Sequence, residues 1–212
     1  MRVLLFDTET NGLPKSWNAP VSRLENWPIV VTIAWQIWDI SGNATHKIVA
    51  TEALIQPQES IVWDTGSQAI HGISKDHART HGRPGAQVYS EFMDAAKTAD
   101  VIVAHNLRFD KSVVLAELFR LDAGMRLDWW PRIEYCTCNN TKELLKLPGI
   151  RPTPQDPYKM PKLTELYKFL FDRDADVVLH SAAGDCEALT QIFLELVRRR
   201  FIDLERWERS LR

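Results

Sequence analysis

A chain of 212 residues, 45% hydrophobic and 25% charged, has the length and composition of one soluble globular domain with a substantial core. Its net charge of −2 excludes a generic electrostatic nucleic-acid binder, so a nucleic acid would have to be drawn in by local features or bound cations. The apolar opening run stops at Asp7, so no signal peptide or membrane span is read, and the expected location is the cytoplasm.

Residues 2–7 read as a short apolar strand, followed by a polar loop from Pro14 to Pro28 that carries Lys15, Trp17 and Arg23. The plainest reading of that loop is a solvated one, although its cationic and aromatic groups could clamp a strand. IVVTIAWQIWD, residues 29–39, is rich in β-branched and aromatic residues and predicts a second strand. Ser41-Gly42-Asn43 signals a turn, and HKIVATEALI, 46–55, predicts a third strand. Three strands separated by turns predict an antiparallel meander.

The pattern then changes. Residues 88–99 and 109–121 predict helices with the strand DVIVAHN between them, the mark of a parallel addition to the sheet. RIEYCTC, 132–138, predicts a short further strand, 148–161 a Pro-rich loop, 162–171 a helix, and Ala182 to about Arg200 the last helix. Arg198, Arg199 and Arg200 read as a solvated helix end that complements the helix dipole. The three cysteines are too few and too irregular for a zinc site, Cys136-x-Cys138 lacking a second ligand pair, and read as reduced and structural. The resulting fold class is α/β: a single domain over 1–212, its mixed sheet combining an antiparallel meander with parallel strands.

Several carboxylates fall on apolar faces. Alternate strand residues share a face, so Asp7 and Glu9 stand in line with Val3 and Leu5. Two anions so close repel, and the repulsion is poorly screened at the edge of a core. In the last helix Leu189, Ile192 and Leu196 mark the buried stripe at about 100° per residue, and Asp185 falls within it. Ser181 is the predicted N-cap, so helix-dipole stabilisation explains an acid in that turn but not its inward face. Asp110 shares the inward side of its helix with Val114, Leu118 and Leu121, directly after a strand end at His105-Asn106; Glu117 falls on that side too. The natural counter-charge for Asp7, Glu9, Asp110 and Asp185 is a hard divalent cation, Mg²⁺ or Mn²⁺, and two such ions suit phosphodiester hydrolysis. His180, just outside the helix, has the chemistry of a general base near neutral pH.

These residues carry a resemblance. FDTETNGLP, AHNLRFD and HSAAGDCEAL resemble the three exonuclease segments of the DEDDh group, the DnaQ-like 3′→5′ exonucleases, and IHGIS at 70–74 resembles its small histidine-containing motif. The likeness runs from about Val3 to Leu196. It implies a ribonuclease H-like fold, two divalent metals and release of nucleoside 5′-monophosphates from a single-stranded 3′ end. By the same resemblance Asp7 bridges both ions, Glu9 and Asp185 hold the metal carrying the attacking water, Asp110 serves the second, and His180 takes the water's proton. Thr8, Thr10, Gly12 and Leu13 would cradle the terminal nucleotide, with His71, Asn106 and Phe109 near the 3′ end. Phe109 is a candidate stacking wedge, although core packing explains it nearly as well.

DNA is favoured over RNA as the substrate, with an exoribonuclease as the alternative, and a polymerase or repair partner is left open. Two other classes of protein would differ in these residues. A non-catalytic interaction module would show erosion of the acids or of His180, and all five are intact. A ribonuclease H-like endonuclease would use similar acids but fits His180 and the HNLRFD segment less well.

Overall fold

A computed structural model of the chain describes residues 1–41, 44–121, 128–149 and 152–212. Among them run strands β1 (Arg2–Thr10), β2 (Val30–Ser41) and β3 (Ala44–Leu54), then helices α1 (Thr65–His71), α2 (Lys75–His81) and α3 (Gly85–Lys97). Next come β4 (Val101–Ala104), α4 (Leu107–Arg120), β5 (Ile133–Cys136) and α5 (Thr137–Leu145). Helices α6 (Leu163–Phe171), α7 (Ala182–Arg198) and α8 (Leu204–Leu211) close the chain.

The sheet order is β3-β2-β1-β4-β5. β1, β2 and β3 pair antiparallel, whereas β4 lies parallel to β1 and β5 parallel to β4. The expected meander with parallel additions is therefore the observed topology. β1 is central, and its alternation serves two cores. Leu4 and Phe6 pack with Ile33, Trp35, Phe92 of α3 and Val114 of α4. Val3 and Leu5 pack on the opposite face with Leu166 of α6 and Leu189, Ile192 and Leu196 of α7. A sheet covered on both faces explains the nearly unbroken apolar run that opens the sequence.

Register then creates an opening. β1 pairs with β2 as far as Thr10, but its parallel ladder with β4 ends at Leu5↔Val103. Asp7 to Thr10 thus have a strand neighbour on one side only, and the other side is free for α4 and a cleft. This corrects the expected strand end at Asp7. Both Asp7 and Glu9 lie within β1, because the backbone ladder (Asp7↔Ala34, Glu9↔Thr32) does not depend on side-chain charge.

Other differences have local causes. Helices α1 and α2, seven residues each, are too short to show a helical period; caps from Asp64 to the Ser67 N–H and from Ser74 to the His77 N–H define them instead. The last helix is α8 rather than α7. A left-handed Arg200 (φ 60°) breaks the helix, and the chain returns so that Leu204 and Trp207 cover the second core. Arg198, Arg199 and Arg200 are exposed at the helix end as expected, and the first two also pair with Glu195. Leu121, expected to face inward, is 38% exposed because α4 ends one residue before it. Gly42 and Asn43 of the expected turn, and Ile150 and Arg151 of the Pro-rich loop, lie outside the described residues.

The Pro14–Pro28 loop is folded, not merely solvated. Buried Asn26 accepts from the Ser16 N–H (2.8 Å) and donates to the Ser16 carbonyl (3.0 Å), while Trp27 donates to the Pro20 carbonyl (3.1 Å). Arg120 at the end of α4 donates to the carbonyls of Leu24 (2.8 Å) and Trp27 (2.5 Å) and to Glu117 Oε1 (2.7 Å). Glu117 in turn accepts from the Val30 N–H at 3.1 Å, so this inward acid ties loop, helix and β2 together. Removing one member of a buried pair strands the other charge, at a cost of about 3–5 kcal/mol. Arg120→Leu is expected to lower the unfolding free energy by about 3 kcal/mol, the low end because both groups retain some water contact. Urea denaturation of Arg120→Leu and of the Glu117→Gln/Arg120→Leu double variant measures this. A double variant no more stable than the single one would overturn the explanation.

Candidate active site

The face alternation of β1 directs Asp7 and Glu9 toward α7, where Asp185 meets them. Ser181 caps α7 by accepting from the Gly184 N–H (3.1 Å), which sets Asp185 in the first turn. Ligand oxygens of Asp7, Glu9 and Asp185 all lie within 4.8 Å of one another, a group able to hold a metal ion.

The electrostatics follow from crowding of half-buried carboxyls. Burial raises the Asp7 carboxyl well above its ordinary range, and the charges of Asp110, Asp185 and Glu9 raise it further. Glu9 is pushed from 4.5 to about 7 by burial and by Asp185. Asp185 is also raised by burial, against the lowering influence of the His180 amide and ring. Glu9, with its pKa at about 7, stays partly protonated near neutrality unless a cation replaces the proton.

Asp110 is not in the group of three, although among neighbouring charges it raises the Asp7 carboxyl most. It lies on α4, on the other face of β1, where its Oδ1 accepts from Thr8 Oγ1 at 2.8 Å. Burial outweighs that hydrogen bond and raises its carboxyl too. His180 is exposed, with φ 63° in the left-handed region, immediately before the Ser181 cap. Its bend packs tightly on α7: a Cβ on Gly184 would fall 1.8 Å from the Val178 carbonyl oxygen.

Beside the acids opens a cleft of about 490 Å³. Thr8, Glu9, Thr10, Gly12, Leu13, His71 and Phe109 line it, bringing together six of the seven residues expected to contact a terminal nucleotide. Asn106, the seventh, is not on its wall; it sits in a left-handed conformation (φ 71°) as the N-cap residue of α4. Gly12 turns the chain at φ 115°, which favours glycine, and Thr10 Oγ1 donates to its carbonyl at 2.8 Å. The opposite wall is α1, with Asp64, Gly66, Ser67 and Ile70. Of that wall only Ile70 and His71, within the IHGIS segment, had a sequence signal. Asn11 ties the wall to β1, donating to the Val62 carbonyl (2.8 Å) and accepting from the Asp64 N–H (2.6 Å).

His71 has an assigned tautomer. Its Nδ1 accepts from the Ile73 N–H at 3.0 Å, so the neutral ring carries its proton on Nε2. Burial lowers its pKa, which favours that neutral form, and Nε2 is a buried donor without a protein partner. His105 is different: Thr137 Oγ1 (2.9 Å) and the Pro161 carbonyl (3.0 Å) occupy its two nitrogens, and burial lowers its pKa to about 4. It fastens the loop before α6. Cys136 and Cys138 are free thiols, their sulfurs 3.5 Å apart.

The sequence model of the exonuclease family matches residues 4–193. No curated protein sequence matches the chain. Among solved structures, that of Escherichia coli Exonuclease I with a dA13 oligonucleotide superposes with a TM-score of 0.66 at 18% identity, over 92% of this chain and 40% of that one. A moderately thermophilic Exonuclease I from Methylocaldum szegediense gives a TM-score of 0.63 at 13% identity, over 93% and 40%. A zinc-bound complex of the E. coli enzyme with single-stranded DNA gives 0.65 at 16% identity, over 93% and 41%. The chain therefore spans about two fifths of the length of these proteins. The likeness establishes the fold, a mixed sheet of the exonuclease, ribonuclease H-like type.

Two outcomes follow for the acid cluster and its support. The raised Glu9 carboxyl costs the metal-free chain nothing below about pH 4.5 and destabilises it as pH rises through about 7. The thermal midpoint in chelator should therefore fall between pH 5 and 7.5, less steeply in Glu9→Gln, and Mn²⁺ should raise it more at pH 7.5 than at pH 5. Equal Mn²⁺ shifts at both pH values would refute the protonated cluster. Gly184→Ala should displace the His180 bend and lower the thermal midpoint while far-UV circular dichroism keeps its helical signal; an unchanged midpoint would show that the bend tolerates movement.

Proposed function

The chain belongs to the exonuclease family, and from that premise we propose that it is a metal-dependent 3′→5′ exonuclease releasing nucleoside 5′-monophosphates from single-stranded 3′ ends, DNA before RNA. The observation that carries this reading is the position of Glu9. It belongs both to the group of three acids and to the wall of the cleft, whose volume of about 490 Å³ suits a single small ligand such as a nucleotide. A terminal nucleotide seated there would have its phosphate beside the acids. The DNA oligonucleotides bound by E. coli Exonuclease I support DNA as the substrate class.

In this reading Asp7, Glu9 and Asp185 would hold a first magnesium or manganese ion, and Asp110 would serve a second with Asp7. Such ions would supply Lewis acidity and ease deprotonation of a water at neutral pH. His180, exposed beside Asp185, accepts the proton as the water oxygen attacks the terminal phosphorus. The bond from that phosphorus to the 3′ oxygen of the preceding nucleotide breaks, and the new 3′ end gains a proton from solvent. His71 offers its Nε2–H to an oxygen of the bound nucleotide, and the Gly12 turn shapes the backbone around it.

The test is a 5′-labelled oligonucleotide with Mg²⁺ or Mn²⁺. A ladder shortening one nucleotide at a time is expected, with circular single strands left intact, and His180→Ala should lower turnover by about 10²–10⁴. Matched DNA and RNA strands assayed side by side decide the sugar preference. Internal fragments from the circle, activity in excess chelator, or an unaffected His180→Ala variant would each defeat the reading.

A further inference from the structure

The Pro14–Pro28 loop presents one feature that the proposed catalysis does not use. Trp17 at its tip is 45% exposed, yet its ring lies 5.8 Å from that of Phe109, centroid to centroid, at 55°. Phe109 lines the cleft, so Trp17 extends the cleft's aromatic wall outward. Single exposed apolar side chains are common and call for no explanation by themselves. This one is held in place from both sides. The Ser16 backbone is clamped by buried Asn26, and the Trp17 carbonyl accepts from Arg108 Nη2 at 2.6 Å, which also donates to Asn18 Oδ1 at 3.1 Å. Arg108 is the residue before Phe109, so one short segment of α4 carries the second ring and fixes the first.

The rest of the rim agrees in character. Leu13, 74% exposed, and Ile70, 62% exposed, both line the same cleft. Among the described residues no lysine or arginine lines it, whereas Glu9 and Asp64 do. A polyanion entering this cleft gains nothing from cationic side chains on its walls; what the walls offer is apolar and aromatic surface. Unpaired nucleobases have the complementary chemistry, since every base has a π-face and stacking is tolerant of sequence.

We propose that Trp17, with Phe109, forms a fixed two-ring platform that stacks unpaired bases of the last few nucleotides, making Trp17 a substrate-binding residue that selects single-stranded ends. This rests on the exonuclease reading and deepens it. A base in a duplex is already stacked and paired, so the platform gains only from bases that are free.

The test is binding without cleavage. A 5′-fluorescein oligonucleotide with phosphorothioate linkages is titrated by anisotropy against the full chain, Trp17→Ala and Trp17→Phe. Because the Trp17 side chain is largely outside the core, equal thermal midpoints verify that the variants are folded. Stacking is worth about 1–3 kcal/mol per base, so Trp17→Ala should raise Kd about 5- to 150-fold, and Trp17→Phe less than about 3-fold. With the last three nucleotides abasic, the wild type and Trp17→Ala should bind alike, and the slope of log Kd against log salt should be unchanged by the substitution. A loss in Trp17→Ala that persists on the abasic strand overturns the proposal. Wild-type binding that Trp17→Ala matches on the base-bearing strand overturns it alone; a wild type that binds no single strand overturns the exonuclease reading with it.

Discussion

Three carboxylates whose oxygens come within 4.8 Å of one another, at the edge of an apolar core, form the constraint around which this molecule is organised. Unscreened repulsion makes such a group unfavourable when fully ionised, and burial raises Asp7, Glu9 and Asp185 together. The cost is tolerated because the supporting elements are strongly fixed. β1 is laddered to β2 along its length and packed on both faces, so side-chain repulsion cannot pull it out of the sheet. Crowded carboxyls held on a rigid strand are a group able to exchange their protons for a cation.

The opening beside the acids has an equally simple origin. β4 is four residues long, and its ladder with β1 stops before Asp7. Had β4 continued, its backbone would fill the space that the cleft and α4 now occupy. Instead Thr8 uses that side to hold Asp110, while Asn11 anchors the α1 wall. The two faces of one strand thus divide most of the work: Asp7 and Glu9 assemble the acid cluster with Asp185 of α7, Thr8 and Thr10 line the cleft with Thr8 also holding Asp110 of α4, and Glu9 belongs to both groups.

A second, independent arrangement supports the cleft rim. Arg120 and Glu117 bind the base of the Pro14–Pro28 loop to α4, and Arg108 at the other end of the same helix binds its tip. The helix that carries Asp110 and Phe109 is therefore also the helix that orders the loop.

Much of this was legible from residue order alone. The β-branched and aromatic run of β2, the alternation in β1 and the stripe of Leu189, Ile192 and Leu196 identify strands and helix faces because local periodicity reflects which side meets the core. The same periodicity exposed Asp7, Glu9 and Asp185 as acids on inward faces, and the motif segments supplied the family. What periodicity could not reveal lies in elements too short to repeat, such as α1 and α2, and in contacts between distant segments. The separation of Asp110 from the other three acids depends on which face of β1 each helix covers. The ordered loop depends on Asn26 and Arg120 meeting partners tens of residues away. Local chemistry is encoded in neighbouring residues, whereas distances between acids, the cleft and the Trp17–Phe109 pair exist only once the sheet's register and helix packing bring remote positions together.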